Sequence, residues 1–117
     1  MLAIAGMTFP FLASDTAARQ EFQDAAKAYG VTPSMNYAAG WAGAKLFERA
    51  ARNLPAQPSA ADVLEGLWSI KNDDLGGITY PITFERDKTA PRVYCWWNLT
   101  IRNGRYDLYK DTAMVCR

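Results

Sequence analysis

The stretch Ser34–Asn53, SMNYAAGWAGAKLFERAARN, decides how the rest of the chain must be arranged. At 3.6-residue spacing its apolar positions, among them Tyr37, Ala38, Trp41, Leu46, Phe47 and Ala50, cover nearly the whole circumference. The sequence therefore predicts a helix that faces protein on both sides. Ala38, Ala39, Gly40, Ala42, Gly43 and Ala44 keep its first half thin enough for another element to come close. Gly40 and Gly43 each cost about 0.5–1 kcal/mol against alanine in a helix interior, which packing must recover. Ser34 has the chemistry of an N-cap, while Glu48, Arg49 and Arg52 mark one wet edge. So enclosed a helix belongs to a layered α/β body.

Composition narrows the classes. At 117 residues the expectation is one domain, and half of the residues are hydrophobic. Thirteen basic residues against twelve acidic ones leave a net charge of +1 with no run of one sign, which argues against a nucleic-acid footprint or a polybasic membrane patch. No segment approaches the roughly 20 apolar residues that span a bilayer. The opening MLAIAGMTFPFLA has no Lys or Arg after Met1, and Pro10 interrupts it. It reads as a buried strand rather than a signal peptide, so an export signal would lie elsewhere.

Histidine is absent, which removes Ser-His-Asp and Cys-His catalysis and every zinc site that uses an imidazole. Cys95 and Cys116 are the only cysteines and have no metal-ligating company. They suggest a disulfide and an oxidising compartment, with two buried free thiols as the alternative.

In chain order, residues 2–9 read as a strand. Ser14 or Asp15 can cap a helix from Thr16 to Tyr29, closed by Gly30, with Ala18, Phe22, Ala25, Ala26 and Tyr29 inward and Arg19, Glu21, Asp24 and Lys27 toward water. After the central helix, Pro55–Ala60 is a surface loop. Ser59 and Asp62 form a capping box for a third helix with Val63, Leu64, Leu67 and Trp68 on its buried face. Ile78, Tyr80, Ile82 and Phe84 then alternate with polar residues as an edge strand carrying Pro81. Val93–Ile101 is a further strand, and Asn103-Gly104 signals a type I′ turn that pairs Ile101 with Tyr106 and Leu99 with Leu108. That register sets Cys95 opposite Thr112. A Cys95–Cys116 bridge therefore needs the last residues to leave the ladder and fold back. Asp73-Asp74 with Gly76-Gly77 reads as a solvated turn rather than a cation loop. Three consecutive helices cannot all be crossovers in a sheet built from these strands alone, so the helices lack the sheet they should cover.

GMTFPF, FQDAAKAYG, YAAGWAGAKLFERA, the capped VLEGLWSI helix, GGITYPITFERD and the Asn-Gly hairpin, taken in that order, resemble the C-terminal part of a type I periplasmic solute-binding protein. The closest group is the branched-chain amino-acid binding proteins of ABC transporters. The resemblance implies an α/β fold of two lobes with this chain as an incomplete portion. Residues 1–9 and 92–117 would belong to the second lobe and 14–87 to the first, with crossovers near 9–14 and 88–92. It also implies an extracytoplasmic, periplasmic location, a membrane permease as partner, an upstream remainder of the same protein, and an amino acid or aromatic or organic acid as ligand. The family commonly carries Gly-Tyr-Asp-Ala in the central helix, where this chain has Gly40-Trp41-Ala42-Gly43. The family's residues for the ligand's ammonium and carboxylate lie upstream, so none of those roles transfers here.

A cleft bounded by crossovers and helix N-termini points to Phe9 and Phe11 at the first crossover and to Ser34, Met35, Asn36 and Tyr37 at the start of the central helix. The plainer reading of the phenylalanines is core packing, and that of Ser34 is capping. A ligand-sensing ectodomain of the same fold is the second functional reading. A third is a histidine-free α/β enzyme using Asp73 or Glu85, which finds no nucleophile elbow, P-loop or dinucleotide fingerprint, and no cofactor is expected.

Overall fold

The computed structural model describes residues 8–117 and, by their backbone, residues 2–6. The chain is mixed α/β: strand β1 (Leu2–Gly6), helices α1 (Ala17–Ala28), α2 (Met35–Ala50) and α3 (Ala60–Trp68), then strands β2 (Cys95–Arg102), β3 (Arg105–Leu108) and β4 (Val115–Cys116). The predicted first strand is found as far as Gly6; Met7 lies outside the described residues, and the chain beyond leads through a buried Phe9-Pro10-Phe11 run.

Local chemistry sets the helix ends. Thr16, not Ser14 or Asp15, caps α1, its hydroxyl accepting from the Arg19 amide at 3.2 Å. At the other end Gly30 sits at φ +65°, and the Val31 and Gly30 amides return to the Ala26 and Lys27 carbonyls, which is a Schellman closure that a side chain at Gly30 would strain. Ser34 caps α2 through the Tyr37 amide, and Ser59 and Asp62 form the reciprocal capping box of α3. Asn103 and Gly104 both adopt positive φ, as a type I′ turn requires, and β2 and β3 pair Ile101 with Tyr106 and Leu99 with Leu108.

β2 is the centre of a small antiparallel sheet, with β1 and β3 as neighbours and the two-residue β4 paired to its first residues. Trp97 and Leu99 point from one face of β2 into the core, where they meet Phe9, Phe11, Phe22, Ala38, Leu75 and Ile78. The ring of Phe22 stands edge-on to Phe9 at 5.3 Å and to Trp41 at 5.7 Å, arrangements worth about 0.5–1.5 kcal/mol each beyond buried area. The core thus gathers where the chain passes between sheet and helices, not beneath the helices themselves.

Three expectations are overturned. Residues 78–84 are no strand: Ile82 makes a single two-way bridge with Asp73, and the Phe84 amide turns to the Ile70 carbonyl beyond α3. Positive φ at Asn72, Leu75, Gly76 and Gly77 curls the approach, and Pro81 has no N–H to offer a ladder. Arg19 is buried rather than solvated, while Tyr29 is 83% exposed. No residue of α3 is buried, and Leu64 is exposed, because α3 touches the rest mainly where Gly66 meets the end of α2.

The central helix is open. Only Ala38 and Ala50 of α2 are buried, and Tyr37 and Phe47 are each 56% exposed along the stripe that includes Gly40 and Ala44. A Cβ at Gly40 or Gly43 would meet nothing within 4 Å. The enclosure that the apolar circumference calls for is therefore not supplied by the described residues. The outline agrees: the body measures 50 × 36 × 20 Å, and its radius of gyration is 15.7 Å against the roughly 13 Å expected of a compact chain this long.

Candidate functional site

A polar cleft of about 360 Å³ lies where the first turn of α1, the Asp74–Thr79 turn and the segment between β3 and β4 converge. Arg19 forms its wall. At 5% exposure its guanidinium needs partners, and it has them: Nη1 donates to both Asp15 carboxylate oxygens, at 2.8 and 3.1 Å, and Nε donates to the Gly77 carbonyl at 3.0 Å. Asp15 in turn accepts from the Thr112 hydroxyl at 2.8 Å, a contact spanning 97 positions of sequence. Partial burial works against the charged form of Asp15, but the hydrogen bonds from Arg19 and Thr112 prevail and hold its carboxyl below the usual carboxylate range. Trp97 supplies the apolar floor.

Two further recesses flank the core. An apolar groove of about 380 Å³ runs between α1 and α2, lined by Phe22, Tyr29, Tyr37, Gly40, Trp41 and Ala44 among others. Trp41 Nε1 is enclosed with no acceptor among the described residues. The other is an open cleft of about 590 Å³, which lies between the β2–β3 turn and the loop ahead of α2 and is bordered by Phe11, Leu12, Pro33, Arg105 and Tyr106.

The six residues singled out from sequence fall in different places: Phe9, Phe11 and Met35 belong to or pack on the core, and Asn36 and Tyr37 line the groove between α1 and α2. Phe9 and Phe11 are fully buried, Phe11 edge-on to Tyr106 at 5.4 Å and reaching the hairpin cleft. Ser34 is engaged as the α2 cap, and Met35 packs against the core. Asn36 and Tyr37 line the apolar groove. Cys95 and Cys116 form the disulfide that the sequence suggested.

The carboxylates weighed for other chemistry are occupied. Asp73 bonds the Leu75 amide and pairs with Arg49 at 3.1 Å, Asp74 bonds the Gly76 amide, and Glu85 pairs with Lys88. Among the described residues no three His, Cys, Asp or Glu side chains are placed to hold a metal ion, and no helix is long and apolar enough to cross a membrane. The polar cleft escaped sequence reasoning. Asp15 and Arg19 at i,i+4 were a usable signal, but nothing local points to Thr112.

No family model, curated protein or solved structure matches the chain.

Proposed function

We propose that this chain is the C-terminal part of an extracytoplasmic solute-binding protein of the type I periplasmic fold. In this reading it serves an ABC transporter and helps capture a branched-chain amino acid or similar small molecule between two hinged lobes. The observation that carries the reading is the open central helix. α2 is apolar around most of its circumference, yet only Ala38 and Ala50 are buried. Helices so exposed suit a β-layer contributed by other residues, as the lobes of that fold possess. Closure of the lobes would trap the solute and present a docking surface to a permease, with no bond made or broken.

The experiment is a melting-temperature screen of the full gene product against aliphatic and aromatic amino acids and organic acids. A ligand at 100 times its Kd stabilises by about 2.7 kcal/mol, a clear rise in Tm. Solution scattering with the stabilising compound should then show compaction. A panel that leaves Tm unmoved, or binding without compaction, refutes the reading.

A further inference from the structure

The segment between β3 and β4 is built as a strap over the polar cleft. Were the hairpin ladder continuous, Cys95 would pair with Thr112; instead it pairs with Cys116, so β4 rejoins β2 four residues later than the hairpin register sets. The surplus chain, residues 109–114, bows out of the sheet and lines the cleft through Asp111, Thr112, Ala113 and Met114. Its shape is kept by the Asp111 side chain accepting from the Ala113 amide at 2.8 Å, and by Met114 packing on the core. Its middle is tied to the helical body by the Thr112 hydroxyl donating to Asp15, which also holds Arg19. Its far end has little else. β4 is two residues long with both exposed; among the described residues its anchors are the disulfide, its short pairing with Cys95 and Trp96, and Arg117, whose amide donates to the Tyr94 carbonyl at 3.0 Å and whose guanidinium lies over Trp96. A strand this short does not hold a six-residue excursion in place by itself.

We propose that residues 109–114 are a releasable cover of the Arg19 cleft, pinned by the Cys95–Cys116 disulfide, and that a dithiol reductant opens it. Cys116 is an exposed residue and Cys95 a half-buried one, so attack is written at Cys116 Sγ. A thiolate of the dithiol attacks Cys116 Sγ, the S–S bond breaks, and Cys95 leaves as a thiolate that takes a proton. The second thiol of the reagent then closes its own disulfide and frees Cys116 as a thiol, so two electrons and two protons pass to the protein. With the pin gone, what holds the strap among the described residues is Thr112, Met114, the two-residue β4 ladder and Arg117, and its release makes the buried guanidinium accessible. The inference stands whether or not the chain captures a solute.

Lys110 places a tryptic site within the strap. The test is limited trypsin digestion of the oxidised protein and of protein reduced with dithiothreitol and alkylated, with fragments identified by mass after denaturation and full reduction. We expect cleavage after Lys110 to accelerate at least tenfold on reduction and to outpace cleavage after Lys45 in α2 by at least tenfold, while helical circular dichroism is retained. In the oxidised protein Thr112→Val should raise the Lys110 rate several-fold and Thr112→Ser should not. Unchanged cleavage at Lys110 on reduction overturns the proposal, as does loss of helical signal with Lys45 cut as fast. A Thr112→Val protein cleaved at the parent rate overturns it equally, without disturbing the disulfide.

Discussion

Gly66→Ala tests the packing of the helical body against helix propensity, because the two predict opposite signs. On propensity alone, alanine in the interior of α3 should stabilise by about 0.5–1 kcal/mol. The structure says otherwise. A Cβ at Gly66 would stand 1.9 Å from the Ala50 carbonyl oxygen and 2.8 Å from its carbon, both backbone atoms at the end of α2. Ordinary carbon–oxygen contacts lie near 3.3–3.6 Å, so the helices must part by roughly 1.5 Å at their crossing. Overpacking of this kind costs about 1–3 kcal/mol, leaving a net loss of about 1 kcal/mol where a naive reading expects a gain. Urea unfolding followed by tryptophan fluorescence and circular dichroism should show the midpoint fall at unchanged slope, and Tm should drop by roughly 3–6 °C. Gly40→Ala and Gly43→Ala are the internal controls. With nothing within 4 Å of either added methyl, each should stabilise the chain by about 0.5–1 kcal/mol. Equal or greater stability in Gly66→Ala would refute the close crossing of α2 and α3, and loss of stability in Gly40→Ala would refute the open face of α2.

Other perturbations follow from the same geometry. Leu99→Ala removes a fully buried side chain from the inner face of β2 and should cost about 2–5 kcal/mol in denaturant unfolding. Arg19→Met strands the Gly77 carbonyl and the Asp15 carboxylate, and should cost about 1–3 kcal/mol, a range discounted because Asp15 is half-exposed. Arg19→Lys should recover little, since a point charge cannot hold both oxygens of Asp15 and the Gly77 carbonyl at once. The carboxyls of Asp15, Glu48, Asp62 and Glu85 are held below their ordinary range: the last three by hydrogen bonds from Lys45, Ser59 and Lys88 respectively, and Asp15 by Arg19 and Thr112 against its burial. Depressed folded values mean stability that is complete above the unfolded values near pH 4 and is lost as pH falls through the folded ones. Tm should therefore hold from pH 7 to about 5 and fall below about 4, and Asp15→Asn should flatten part of that fall.

Much of the architecture was legible because its causes are local. Ser34 caps α2, and Ser59 with Asp62 caps α3, since a side-chain oxygen beside a helix start satisfies orphan amides whatever surrounds it. Asn103-Gly104 set the hairpin register because both residues tolerate positive φ. The segment 78–84 misled for a matching reason. Alternation of Ile78, Tyr80, Ile82 and Phe84 describes a strand only where a neighbouring strand receives its amides, and among the described residues the sheet offers none there.

Local chemistry is enough for the elements whose hydrogen bonds close within a few residues: three helices, the N-caps of α2 and α3, one tight hairpin and an available cysteine pair. Relations that depend on which distant groups meet were settled by the folded chain. Arg19 is inside because Asp15 and Gly77 satisfy it there, and Gly66 is small because Ala50 lies against it. The sequence made departure from the ladder a condition of a Cys95–Cys116 bridge; the fold forms that bridge, and residues 109–114 bow out of the sheet as it requires. Propensity and capping act over one turn of chain, whereas burial, close approach and disulfide register are settled between segments that sequence distance does not rank.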